Sequence, residues 1–364
     1  MFSSTLHASG GIVSPGQDSF RVETLAEGLD QPWGLEKLPD GRFIVTEKKG
    51  NLRFISPDGK VSAPIQNIPE VAAIGQGGLL DVRLHPDYEK NGWVYLAYSK
   101  PGPGGAMTMI VRGKLRGDSF TDVETIYDPP VEDYTRGAVH FGCRIVFDGK
   151  GYLYFSIGDR GSSPDKNNFA QNLSHAAGKI HRLHDDGRIP EDNPFVKTPG
   201  ARPSIWTLGN RNVQGLAFQP GTEKLWASEH GPRGGDELNI IRKGLNYGWP
   251  VVSYGINYDG SEFATGTHRE GMEQPIVQWT PSLAVCGMDF YRGDKLPGWN
   301  GNLFMATLAG QRLVRMKING EQVVKQEFLL EGSGRIRDVR CFDDGFVHVI
   351  YDIPGKIIRL MPEK

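Results

Sequence analysis

Six times along this chain an apolar strand runs into a tight turn rich in Pro, Asp or Gly and returns as a second apolar strand. The copies read Gly34-LEKLPDGRFIVTE, Asp81-VRLHPDYEKNGWVYLAY, Arg144-IVFDGKGYLYFSIGD, Gln214-GLAFQPGTEKLWASE, Gly287-MDFYRGDKLPGWNGNLFMAT and Arg337-DVRCFDDGFVHVIYD. Their spacing is uneven, so the hairpin is the fixed unit and the connections vary. A further strand signal often follows, as in NLRFIS, GKIHRLH, DELNIIR, QRLVRMKI and the terminal GKIIRLM. Short strands with turn-rich joints, repeated at this scale, predict an all-β six-bladed β-propeller of four-stranded antiparallel blades. No amphipathic helical pattern of 10–15 residues separates the strands, which argues against a parallel sheet. The segment Phe20-RVETLA is expected to supply a strand to the last blade and close the ring. Residues 20–364 then form a single domain, preceded by a flexible segment 1–19.

Composition agrees. Gly 48 and Pro 24 make about a fifth of the 364 residues, while 38% hydrophobic residues still suffice for a core. The net charge of −2, with no long run of one sign, gives no footprint for nucleic acid. No apolar stretch is long enough to span a membrane. The opening Met1 to Gln17 carries no signal-peptide pattern and reads as a mature N-terminus. Cys143, Cys286 and Cys341 are too few and too widely spaced for a zinc motif or a disulfide framework. They are expected to be buried free thiols in strand regions.

In the third copy, a turn centred between Gly149 and Lys150 would bring His140 and Asp159 together beyond the strand ends. A carboxylate beside an imidazole fixes its tautomer and supports it as a proton acceptor. Other polar residues occupy matching places. Gln76 precedes the first strand of copy two, Arg211 and Asn212 precede that of copy four, and Arg335 and Arg337 precede or open that of copy six. Glu229-HGP follows the second strand of copy four as Asp159 does in copy three. In a propeller these positions open on one face, so they converge on one end of the central channel. Three arginines there could clamp an anionic ligand with forked hydrogen bonds. The Gly-rich run from Glu229 to Leu238 offers backbone carbonyls together with Asp236 and Glu237, oxygen donors that suit calcium. GPGG at Gly102 to Gly105 lacks the Lys and Ser/Thr of a phosphate loop.

The runs Gly75-QGGLLD, His140-FGCR, Ile157-GD, Gly209-NRNVQG, Glu229-HGPRGGDE, Asn246-YGWP, Gly255-INY and Gly334-RIRDVR, in that order, resemble the soluble aldose sugar dehydrogenases that use pyrroloquinoline quinone (PQQ). The likeness runs from about Phe20 to Lys364. It implies an enzyme that oxidises an aldose to a lactone with PQQ and calcium and hands electrons to an external acceptor. It implies His140 as the general base with Asp159 as its partner, and Gln76, Arg211, Asn212, Tyr258, Arg335 and Arg337 as cofactor-binding or substrate-holding residues. Backbone carbonyls of Gly231 and Pro232 would hold the calcium that touches PQQ, and Glu237 and Tyr247 a second, structural calcium. Such relatives imply a periplasmic or secreted protein, here expected as a monomer or homodimer.

Two positions depart from that pattern. Where the family often has a lysine in blade five, Thr307-LAGQRL places Ala309, with Gln311 or Arg312 as substitutes. In the run from His140 to Arg144, Cys143 replaces a glycine. Two other readings stay open at this point: a calcium-dependent propeller lactonase or esterase, and a non-catalytic binding propeller that has lost PQQ.

Overall fold

The computed structural model describes residues 20–162 and 167–363, so the expected flexible segment 1–19 lies outside the described residues. Alternating turn signals and strand runs fold into six four-stranded antiparallel sheets, a six-bladed propeller. The innermost strands are Pro32–Lys37, Leu79–Leu84, Ile145–Phe147, Val213–Phe218, Val285–Phe290 and Arg335–Cys341, which begin blades one to six in that order. As expected, Phe20–Glu27 pairs with Lys356–Pro362 and completes blade six, so the first described strand closes the ring against the last. That closure removes the open sheet edge a linear stack would leave.

The inner strands are buried almost throughout, because each blade lies face to face with the next. The apolar core is correspondingly divided. Leu79 and Val94 pack on Ile44 between blades one and two, Trp226 and Leu238 on Val285 and Met305 between blades four and five, and Val45 on Ile350 between blades six and one. The only α-helix among the described residues is the single turn Tyr88–Asn91, and none is long and apolar enough to cross a membrane.

Below the channel mouth, charged side chains from several inner strands interlock. The buried Arg144 guanidinium bridges Asp81 and Asp338 at 2.9 Å each and stacks on Trp33. Glu36 accepts from Arg83 at 2.8 Å and Arg340 at 2.5 Å. Burial pushes the Asp338 carboxyl up to about 7 and that of Glu36 to about 8. Removing one partner of such a buried pair typically costs about 3–5 kcal/mol. These ties link blades one, two, three and six and floor the site above them.

Two sequence expectations need correction, and one strand has no counterpart among the sequence signals. The blade-three hairpin centres on Lys150, since Ile145 faces Phe155 and Phe147 faces Leu153, a shift of one residue from the expected register. Cys143 lies outside any strand, and Cys341, though in one, is only partly buried. The long third strand of blade two, Gly105–Arg116, gave no recognised signal; Gly102 pairs with Gly105 across a hairpin turn that joins it to Trp93–Gly102.

Candidate active site

The inner strand of blade three starts late, at Ile145, because the preceding residues take left-handed backbone. His140, Gly142 and Cys143 have φ of 54°, 66° and 74°. A Cβ on Gly142 would lie 2.8 Å from the Gly158 nitrogen and the Ser156 oxygen, so only glycine fits that bend. The bend, rather than strand register, brings His140 to Asp159. The His140 Nδ1 lies 2.6 Å from Asp159 Oδ1, and the His140 N–H donates to Gln76 Oε1 at 2.9 Å.

Asp159 is fully buried. It accepts from Trp249 Nε1 at 2.7 Å and from the Gly161 N–H at 2.8 Å, while its own N–H donates to the Arg211 carbonyl at 2.7 Å. With Nδ1–H directed at this carboxylate, Nε2 is left as the imidazole's proton acceptor. Burial, with the nearby Arg211 charge, holds His140 below the usual imidazole value, although Asp159 acts in the opposite direction. The ring is therefore neutral at pH 7 and able to take a proton.

On blade four, the buried carboxylate of Glu229 accepts from Asn210 Nδ2 at 3.0 Å, from the Asn212 N–H at 3.3 Å and from the Arg211 N–H. This anchors the Gly209-NRN loop. Asn212 Oδ1 accepts from the Gly142 N–H at 3.2 Å, tying that loop to the bend under His140. The Arg211 guanidinium donates to the carbonyls of His230 at 3.2 Å and Gly231 at 2.7 Å, lies 5.1 Å from the Trp249 ring centre, and keeps a buried Nε with no hydrogen-bond partner.

Arg335 and Arg337 stand two residues apart on the inner strand of blade six, across an irregularity in its pairing, and both reach the same cavity. Each meets Asp352 at 3.4 Å, and Arg337 Nη1 donates to Gln214 Oε1 at 3.2 Å. The Arg337 Nε and Asp352 Oδ1 are buried without hydrogen-bond partners. These side chains line a cavity of about 300 Å³ together with Gln76, Phe141, Gly142 and His230. Burial and two adjacent arginines push His230 down to about 3, so its ring is neutral.

The remaining expected residues fall in two neighbouring places. Glu237 and Tyr247 line a small pocket with Glu229, Gly231 and Arg211. Burial pushes Glu229 up to about 7; burial and the Glu229 charge push Glu237 to about 8. The Tyr247 hydroxyl is already engaged, donating to the Ile240 carbonyl at 2.7 Å and accepting from the Arg242 N–H at 2.8 Å. Tyr258 and Pro232 instead line an open cavity of about 790 Å³ with Ala309, and Tyr258 is 74% exposed. The structure thus links His140, Asp159, Gln76 and Arg211 by hydrogen bonds and ties Asn212 to them through Gly142. It brings Arg335 and Arg337 into one cavity with Gln76, and leaves Arg211 and Tyr258 in two neighbouring pockets. Arg312 is occupied elsewhere, by the Gly310 carbonyl at 2.8 Å and Glu331 at 3.3 Å.

Sequence reasoning gave no role to Lys48, Trp249 or Asp352. Lys48 and Asp352 sit at the ends of second strands, in blades one and six, where Asp159 and Glu229 sit in blades three and four. The same positional rule, applied to every blade, finds both. Trp249 lies in a long loop and has no such signal.

The sequence matches the glucose/sorbosone dehydrogenase family over residues 29–359. It is 44% identical to the aldose sugar dehydrogenase YliI of Escherichia coli, in an alignment covering 94% of this chain and 92% of that protein. The crystal structure of the soluble aldose sugar dehydrogenase from Escherichia coli in the apo-form superposes with a TM-score of 0.89 at 42% identity, covering 95% of this chain and 100% of that one. The PQQ-bound form of aldose sugar dehydrogenase from Streptomyces coelicolor gives 0.77 at 29% identity, covering 95% and 99%. With a buried acid–base pair beside a cation-lined cavity on the same propeller, the chain is an oxidoreductase and belongs to the glucose/sorbosone dehydrogenase family.

Proposed function

We propose that this protein oxidises aldose sugars to lactones using PQQ and calcium, and passes the electrons to an external acceptor. The observation that carries the reading is a neutral, carboxylate-oriented His140 whose partner Gln76 lines a cavity with Arg335 and Arg337. The buried Arg337 Nε there has no hydrogen-bond partner, and Arg211, with its own unpaired Nε, lines the small adjoining pocket. Unsatisfied guanidinium atoms in a desolvated wall suit an anionic ligand, and PQQ is a planar tricarboxylate. Arg211, Asn212, Arg335 and Arg337 would hold it, with Gln76 beside the substrate and Tyr258 at the outer edge.

The donors for calcium also fit in kind. The Gly231 and Pro232 carbonyls are neutral hard oxygens, and the Arg211 guanidinium, which now donates to the Gly231 oxygen at 2.7 Å, would yield that contact to the ion. A second cation near Glu229 and Glu237 would relieve two carboxylates whose proton affinity burial raises, Glu237 further through the Glu229 charge. Among the described residues no group of three or more His, Cys, Asp or Glu side chains could hold a metal, so that ion would draw on backbone oxygens such as that of Tyr247.

When bound, PQQ supplies the two-electron acceptor and calcium the Lewis acid that polarises it. This chain's own work is proton handling and orientation. His140 Nε2 takes the proton of the sugar's anomeric hydroxyl, Asp159 stabilises the resulting imidazolium, and Trp249 and Gly161 keep Asp159 in place. Gln76, by gripping the His140 N–H, fixes the ring's position over the channel. We place these functions on a single domain, residues 20–364, in a periplasmic or secreted protein that is a monomer or homodimer.

A lactonase or esterase would leave the arginine wall without a role, and a non-catalytic binder would leave the His140–Asp159–Trp249 chain without one. The test is optical. Apoprotein titrated with PQQ and calcium should bind the quinone, and glucose should then bleach the oxidised form. Binding without sugar-dependent reduction would sink the dehydrogenase reading, and chelation that leaves the holoenzyme unchanged would remove calcium from it.

A further inference from the structure

Lys48 and Lys49 are adjacent, yet their surroundings differ. Lys49 is exposed and pairs with Asp30 at 2.8 Å. Lys48 directly follows the second strand of blade one, Phe43–Glu47, and its side chain lines the same cavity as Arg335 and Arg337. Gly78 makes room for it, since a Cβ there would lie 2.6 Å from Lys48 Cγ and 2.1 Å from the Lys48 carbonyl oxygen. The ammonium donates to the Gly75 carbonyl at 2.6 Å, and no carboxylate among the described residues lies within ion-pairing distance. This wall therefore sets three cations, Lys48, Arg335 and Arg337, against the single carboxylate of Asp352, which each arginine meets only at 3.4 Å. Partial burial and the Arg337 charge lower the proton affinity of Lys48. An ammonium desolvated beside a like charge gains stability when an anion arrives.

We propose that Lys48 is a third cation of the ligand clamp and contacts an anionic oxygen of the bound quinone cofactor directly. This rests on the PQQ reading above and extends it to blade one. Its hold on Gly75 is the resting contact, and the same bond keeps the Gly75–Gln76 turn near His140 while the site waits for ligand. The role is electrostatic, so a charge-conserving replacement preserves it and a neutral one of similar length does not.

The test is PQQ titration, with saturating calcium and at several salt concentrations, of the parent, Lys48→Gln, Lys48→Arg and Arg335→Ala proteins, with thermal unfolding of each in parallel. Lys48→Gln should bind PQQ about tenfold to a hundredfold more weakly, with a shallower dependence on salt and an unchanged unfolding midpoint. Lys48→Arg should recover most of that loss. If Lys48→Gln binds as the parent does while Arg335→Ala is weakened, Lys48 has no part in the clamp although the PQQ reading stands. If Lys48→Gln loses affinity and thermal stability together and arginine restores neither, the residue only supports the Gly75 turn and the proposal is wrong. If the parent itself binds no PQQ, the cofactor reading falls and takes this proposal with it.

Discussion

On the blade-three side of the cavity, the buried Asp159 is held by His140, Trp249 and Gly161 at 2.6 to 2.8 Å. On the blade-six side, Asp352 meets Arg335 and Arg337 at 3.4 Å, and buried Nε and Oδ1 atoms have no hydrogen-bond partner. The first arrangement is complete without any ligand. The second has unspent hydrogen-bonding capacity, which is costly in a desolvated wall until something polar fills it. A base must be aimed before substrate arrives, whereas a clamp gains its energy when the ligand binds. The difference assigns chemistry to one side and binding to the other.

The largest expected effect breaks the chemical side. His140→Ala should lower turnover by about 10²–10⁴-fold while PQQ affinity stays close to that of the parent, as read by steady-state rates and quinone titration. Near-normal turnover would remove the base from the account. Asp159→Asn should cost less, about tenfold to a hundredfold, because the imidazole remains. Its pH profile adds a sign. The His140 pKa lies below the ordinary value, and the Asp159 contact works to raise it. Activity of the parent should therefore fall only as pH drops below about 6.5, and Asp159→Asn should move that acid limb lower still. A limb that moved upward would contradict the stabilisation of the imidazolium assigned to Asp159.

The binding side should respond differently. Arg335→Ala or Arg337→Ala should weaken PQQ by about 1.5–3 kcal/mol and leave turnover at saturating PQQ within a few-fold of the parent. Unchanged affinity in both would return the arginines to a structural role. The smallest effect concerns Ala309, which lines the open cavity beside Tyr258. Ala309→Lys should strengthen PQQ binding by no more than about 1 kcal/mol, since water screens a charge there. A larger gain would mean that blade five reaches the quinone more closely than this cavity suggests.

Much of the fold is legible because its signals are local. Each hairpin carries its own turn residues, and Phe20-RVETLA stands as a spare strand where the last blade is one strand short of four, so ring closure follows. The outer strands are less legible. Gly105–Arg116 follows a Pro-Gly-rich turn that masks the hairpin, and short strands such as Val277–Trp279 take their pairing from neighbours rather than from a pattern of their own. In the site, the His140–Asp159 pair was found by a register that is one residue off. Left-handed backbone at His140, Gly142 and Cys143 makes up the difference. Cys143 occupies a conformation that favours glycine, which explains why a glycine is the residue expected there. Trp249 was not legible, since a loop side chain reaching a carboxylate 90 residues away in sequence leaves no periodic trace.

The division of labour across the cavity is tested most directly by a crossed measurement on two variants. For His140→Ala and Arg337→Ala, PQQ affinity is measured by titration and the single-turnover rate of quinone reduction by glucose at saturating cofactor. The account predicts that His140→Ala binds PQQ normally and reduces it far more slowly, while Arg337→Ala binds weakly but reduces what it binds at close to the parent rate. If both variants lose affinity and rate in the same proportion, the two sides of the cavity act as one unit and the assignment of chemistry to one and binding to the other is wrong.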